Sequence, residues 1–262
     1  MLFGMPTLIE NNTIEDCASL CRELGLDFVE LSMSLPQYTL DEIDAPYFKE
    51  ICARYGIFYT IHLDENVNAA DFNTITADAC CRYISETIRL AEKLDAPVVN
   101  MHLPLGEHFT LPERKVFLFD IYKDRYLRSM VKFRDLCEAA AGDSGIKICV
   151  ENCSGFPPFQ REALDLLLES PVFGLTFDVG HNHGTDGMDE PYITANRDRL
   201  HHMHLHDALG RRNHLVLGTG EIALDRYLSL AGEQNCRVVL ETKTITGLRQ
   251  SVEWLKQRNL LT

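Results

Sequence analysis

The chain has 262 residues, 45% of them hydrophobic, enough to bury a full core and a length at which α/β barrels commonly fold as one domain. Its 39 acidic residues outnumber 25 basic ones, and the formal net charge of −14 disfavours a nucleic-acid partner, which is usually gripped through Lys and Arg contacts to phosphate. No run of about 18 apolar residues occurs, and MLFGMPTLIENN lacks a signal peptide's basic-then-apolar pattern, so neither a membrane span nor secretion is expected.

The nine cysteines are scattered through apolar segments without a CxxC pair. An odd count of this kind fits reduced, buried thiols and a cytoplasmic location.

The predicted elements alternate along the chain. A β-rich run at Leu2–Met5 precedes an amphipathic helix, Thr13–Leu24, closed by Gly25. Phe28–Leu31 and a helix over Leu40–Tyr55 follow, the latter closed by Gly56. Ile57–His62 leads into Ala77–Leu94, which Asp95-Ala96-Pro97 stops. After Val98–His102 a helix is expected over Lys115–Ala141. The aromatic-rich stretch Pro104–Asp124 is read as an ordinary loop and helix start, with a cover over a site or a subunit contact as the other readings. Ile146–Glu151 is followed by Arg161–Glu169. Phe173–Asp178 is followed by the weakest helical pattern, near Tyr192–Arg199. His202–His206 with Leu224–Ala231, and Arg237–Glu241 with Thr246–Gln257, complete the series. Eight βα units with no linker between them imply a single domain, a (β/α)8 TIM barrel over residues 1–262. An open doubly wound sheet is the alternative, but its usual Gly-rich turn, GxGxxG or P-loop, is missing.

Polar residues fall where such a barrel would gather them. His62, His102, Glu151, Asp178 and Glu241 each end an apolar run, and His204 lies near the end of another. They follow one another at about one βα unit, so all six reach the C-terminal rim. Alternation turns Glu151 and Asp178 inward, and puts His202, His204 and His206 inside while Met203 and Leu205 face the helices. Taken singly, a strand-end carboxylate is most often a helix N-cap and a lone histidine a satisfied core residue. Six together would be costly to bury without a divalent cation.

TIHLDE, VVNMHLP, ICVENCSG, LTFDVGHNHG, MHLHDALGRRNHLVLGTGEI and VVLETKT occur in this order between Ile57 and Thr244. The ordered set resembles the xylose-isomerase-like barrel superfamily, which holds sugar and sugar-phosphate isomerases and epimerases and the abasic-site endonucleases of the endonuclease IV type. The resemblance implies that Glu151, Asp178, His204 and Glu241 share one metal. It matches His62 and His102 to histidines that bind another metal in the endonucleases. His181 corresponds to a substrate contact in epimerases or to a third-metal ligand in endonucleases, and His214 to a further endonuclease ligand. Endonuclease IV has Asp-x-His where this chain reads Arg212-Asn213-His214. A guanidinium stays protonated and cannot ligate a cation, so that third site is expected to be broken.

The function expected is a divalent-metal-dependent isomerase or epimerase acting on a small sugar, sugar phosphate or polyol by proton transfer through an enediolate-like intermediate. The oxygen-rich ligand set suits Mn²⁺ or Mg²⁺, with Co²⁺ and Zn²⁺ also compatible. Glu151 and Glu241 are the expected base and acid, with His181 positioning a substrate hydroxyl. Arg211, Arg212 and Lys243 follow the last two strands, where barrels often bind phosphate, and Glu30 ends the second strand as a substrate contact or a support to the ligands. The alternative is an endonuclease IV-like hydrolase acting on abasic DNA. A homo-oligomer is left open.

Overall fold

A computed structural model describes residues 1–261. Eight parallel strands close into a barrel: β1 (Leu2–Pro6), β2 (Phe28–Ser32), β3 (Phe58–His62), β4 (Val98–His102), β5 (Lys147–Glu151), β6 (Phe173–Asp178), β7 (Leu200–Leu205) and β8 (Arg237–Leu240). Each pairs with its neighbours in sequence, and β8 returns to β1. Helices cover the outside: α1 (Ile14–Leu24), α2 (Ala45–Tyr55), α3 (Thr74–Lys93), α4 (Lys123–Ala141), α5 (Pro158–Leu168), α6 (Val179–Gly184), α7 (Glu190–Ala195), α8 (Leu224–Glu233) and α9 (Ile245–Lys256). The chain is a (β/α)8 TIM barrel, as the alternation implies. No described helix is long and apolar enough to cross a membrane.

Local chemistry sets the helix ends. A reciprocal capping box joins Thr13 and Asp16 at the start of α1, and Gly25 at φ 76° ends it. The buried face of α1 is Ile14, Cys17, Ala18, Leu20, Cys21 and Leu24, a 3.6-residue stripe against the barrel. Burying each Leu or Ile in such a stripe contributes about 1.5–3 kcal/mol. The nine cysteines are all free, with Cys17, Cys21, Cys137, Cys149 and Cys236 buried as small hydrophobes.

Three units differ from the sequence expectation. The second helix starts at Ala45 rather than Leu40, because Pro46 sits in its first turn, where a missing N–H costs nothing. In the fourth unit Lys115–Phe117 is a strand, paired antiparallel with His108–Thr110 in an exposed hairpin; one helical turn, Leu118–Ile121, then precedes α4. Pro112 at the hairpin tip has no N–H for a helix, and Lys-Val-Phe is a better strand than helix start. In the sixth unit, where only a weak helical pattern near Tyr192–Arg199 is expected, there are two short helices, α6 and α7, and a single 3-10 turn at Arg197–Arg199.

Candidate metal centre at the barrel mouth

The barrel interior becomes polar from floor to rim. At the floor Phe28 stacks on Phe58 with ring centroids 5.1 Å apart. One layer up, Glu30 accepts hydrogen bonds from Thr60 Oγ1 at 3.0 Å and from His202 Nε2 at 2.7 Å. Thr176 Oγ1 donates to Asn100 Oδ1 at 2.6 Å, and Asn100 Nδ2 donates to Glu151 Oε2 at 2.5 Å. Thr60, Asn100, Thr176 and His202 each sit two residues before a rim residue of their own strand, so one alternation places both layers.

At the rim, Glu151, Asp178, His204 and Glu241 each bring one ligand atom within 4.8 Å of the others. His204 Nδ1 lies 3.2 Å from Glu241 Oε2, 3.3 Å from Glu151 Oε2 and 3.9 Å from Asp178 Oδ2. On the ring's other side Nε2 lies 2.9 Å from Glu30 Oε1, although off the line of a good hydrogen bond. A carboxylate behind a histidine whose other nitrogen faces a ligand cluster is the usual support of a metal-binding imidazole.

These four residues fit a divalent cation. Burial alone lowers an imidazole's pKa, yet Glu151, Glu30 and Glu241 together hold His204 well above its usual value. Positive charge is therefore favoured at Nδ1. A proton supplies it, and a cation would supply it while leaving Nε2–H for Glu30. His204 Nδ1 and Glu241 Oε2 are both buried without a hydrogen-bond partner, as open ligand atoms would be.

The remaining histidines gather round the same group. His62 and His102 each place Nε2 3.4 Å from Glu151 Oε2. His62 Nδ1 lies 2.8 Å from the Leu63 carbonyl, which can only accept, so the neutral ring carries its proton on Nδ1 and has its lone pair on Nε2, toward the site. His181 Nδ1 lies 3.5 Å from Glu151 Oε1 and 3.4 Å from Asp178 Oδ2. Burial pulls the His62 and His181 pKa values down, but Glu151 and its neighbours raise both to about 9. His214 Nδ1 is 3.8 Å from Glu241 Oε1, with its backbone in the left-handed region at φ 54°.

Asp178 serves two purposes. Its Oδ1 caps α6 by accepting from His181 N at 2.6 Å, while Oδ2 faces the cluster. His206 holds it there. The backbone N–H of His214 donates to His206 Nδ1 at 2.9 Å, so the ring proton sits on Nε2, 3.2 Å from Asp178 Oδ1 and 3.3 Å from Oδ2. The His206 ring lies so close over Gly180 that a Cβ there would sit 1.8 Å from its Cε1.

Other predicted residues stand elsewhere. Glu30 is buried beneath His204 and binds His202, so it supports the cluster from below. Lys243 Nζ is 2.7 Å from Glu241 Oε1. Arg211 and Arg212 are exposed on the hairpin after β7 and line no part of the cavity at the cluster. The sequence reading missed Asn100, whose parity with His102 was the available signal. It also missed Asp207, whose carboxylate collects the N–H groups of Gly218, Gly220 and Ile222 and folds the loop after β7. No motif marked it.

A cavity of about 240 Å³ opens beside the cluster, lined in part by His62, Glu65, Glu241 and Lys243. A larger groove, about 450 Å³, lies outside the barrel between α3 and α4, lined by Arg125, Arg128 and Lys132 among others, away from the cluster. A family model described as "Xylose isomerase-like TIM barrel" matches residues 18–258. The chain belongs to this family. Comparison with curated proteins finds no sequence match. Among solved structures, this xylose isomerase-like barrel is similar to a D-tagatose 3-epimerase-like protein at 25% identity and TM-score 0.80, covering 99% of this chain and 98% of the other. It shares its fold with the 3-keto-D-glucoside 4-epimerase of E. coli (15%, TM-score 0.75, 98% and 99%) and with the zinc-bound IOLI protein (18%, TM-score 0.75, 99% and 98%).

Proposed function

We propose that this barrel is a divalent-metal-dependent epimerase or isomerase of a small sugar or polyol, with Glu151, Asp178, His204 and Glu241 as the metal ligands and Glu151 and Glu241 as the proton-transferring pair. The carrying observation is the arrangement of those two carboxylates. Each turns Oε2 toward His204 Nδ1 and keeps Oε1 for another contact, Glu151 beside His181 and Glu241 beside Lys243. The similarity to a D-tagatose 3-epimerase-like protein supports the sugar reading.

A divalent cation bound there supplies the Lewis acidity that makes a proton next to a carbonyl removable. One carboxylate takes that proton at Oε1, and the other returns a proton to the opposite face or to the adjacent carbon. Asn100, donating to Glu151 Oε2, and Lys243, on Glu241 Oε1, keep the two carboxylates aimed. His181 faces the same space and orients a substrate hydroxyl.

One observation favours a second reading, a phosphodiester hydrolase. His62 and His102 converge on the same Glu151 oxygen, as ligands of a second cation would. Metal content separates the two. Protein purified without chelator or added metal is expected to carry about one Mn, Co or Mg per chain and to epimerise or isomerise members of a ketose panel. Two or three zinc ions with cleavage of abasic-site DNA would transfer the site to the hydrolase. No metal, even after reconstitution, would sink both.

A further inference from the structure

We infer that the site takes an uncharged polyhydroxy carbonyl compound, a free ketose rather than a ketose phosphate. The inference rests on the epimerase or isomerase reading above and specifies its substrate class.

In barrels of this kind the phosphate seat is formed by the loops after the seventh and eighth strands and a helix N-terminus. Here β8 runs into α9, and the N-terminus of α9 is already filled. Thr244 Oγ1 accepts from Gly247 N at 3.0 Å, and Ile245 N donates to the carboxylate of Glu10, which reaches over from the loop between β1 and α1. A carboxylate of the chain itself thus takes the amide a phosphate would need. The helix end borders the cavity, because Ile9 and Lys243, the neighbours of Glu10 and Thr244, both line it.

The remaining charges act in the same direction. Lys243 is the ammonium on the cavity wall, and it is spent on Glu241 at 2.7 Å. Glu65 lines the cavity as well, so a dianion entering it would meet that carboxylate, with Glu10 next in the chain to the lining residue Ile9. Arg211 and Arg212 are exposed and outside the lining. Pro6, Leu8 and Leu35 give the wall an apolar face suited to the C–H side of a short carbon chain. At about 240 Å³ the cavity lies below the usual 300–1,000 Å³ of ligand pockets, which favours a small molecule without a bulky terminal group.

The test uses matched pairs on the metal-loaded 262-residue chain: D-fructose, D-tagatose, D-ribulose and D-xylulose against their terminal phosphates, in the wild type and in Glu10→Ala. Wild type is expected to prefer the free sugar of the best pair by about 100-fold in kcat/KM, the scale of a like-charge clash. Glu10→Ala, which frees the Ile245 amide and removes one negative charge, should narrow that preference about tenfold, mainly through a lower KM for the phosphate. A wild type that turns over the phosphate as well as the free sugar, or better, overturns the inference and leaves the epimerase reading standing. An unchanged preference in Glu10→Ala removes Glu10 from the explanation and overturns the argument built on it. Turnover of no member of any pair overturns both readings.

Discussion

Two histidines on one strand, His201 and His204, have opposite demands for charge. Both lose solvent on folding, and burial by itself pushes each imidazole toward its neutral form. His201, near the N-terminal end of β7, has Lys147, Arg199 and Arg237 around it and falls to about 4. His204, three residues on, faces Glu151, Glu30 and Glu241 and is held well above its usual value. Two of the cations near His201 are occupied by carbonyls: Lys147 Nζ binds the Pro171 oxygen and Arg199 Nη2 the Leu168 oxygen, each at 2.7 Å. At His201 burial leads and the cations add to it, whereas at His204 the carboxylates overcome burial. The barrel thus has a cation-repelling end and a cation-seeking end, and at the second His204 Nδ1 and Glu241 Oε2 are left as open ligand atoms.

The largest effect that would break this comparison comes from removing one of the carboxylates proposed to carry the proton at the mouth. Glu151→Gln or Glu241→Gln should lower kcat by about 10²–10⁴-fold, the usual contribution of general acid–base catalysis, with circular dichroism unchanged. Full activity in either variant takes that residue out of the mechanism.

A glycine–histidine pair near each end sharpens the contrast. Gly180 makes room for the His206 ring, and Gly174 makes room for His201, whose Cδ2 would lie 2.5 Å from a Cβ there. At the mouth the pair aims Asp178 through His206 Nε2. Gly180→Ala should therefore cost about 1–3 kcal/mol in stability through the clash and weaken cation binding about 10–100-fold. His206→Ala should reproduce the weaker binding without the clash. The double variant should regain stability but not affinity, as read by thermal unfolding and metal-binding calorimetry. If His206→Ala binds the cation as tightly as wild type, His206 only fills space.

How much of this could be read in the sequence follows the same division. The fold and the rim were legible, because alternation and strand-end position are local properties: Glu151, Asp178 and His204 needed only parity and one βα spacing. The second layer was half legible. Asn100 shares the inward phase of His102, but a hydrogen bond to Glu151, 51 residues away, leaves no local trace. Contacts made through closure of the barrel were not legible at all. Glu10 reaches Ile245 across 235 residues, and Asp207 gathers amides from a loop that carries no helix or strand period. The fourth unit misled for the converse reason. Lys115–Phe117 continues the polar–apolar pattern of the helix behind it, and only the pairing with His108–Thr110 makes it a strand.

The smallest expected effect is at the opposite end, and it is one of stability rather than catalysis. In the folded chain His201 resists protonation down to about pH 4, whereas unfolding returns it to the ordinary value of 6.5. The unfolded state therefore binds the extra proton between these values, and stability falls as pH drops from about 6.5 toward 4. Above 6.5 both states hold the ring neutral and the contribution is constant. His201→Gln cannot take up that proton, so its melting temperature should fall less steeply than the wild type's across this window. The difference should be on the order of 1 kcal/mol, since the site is partly exposed and solvent screens it. Carboxylates titrate in the same range in both proteins, so the difference between the two curves is the quantity to measure. Parallel curves would mean that His201 takes its proton as readily folded as unfolded, and that neither burial nor the cations around it set its charge.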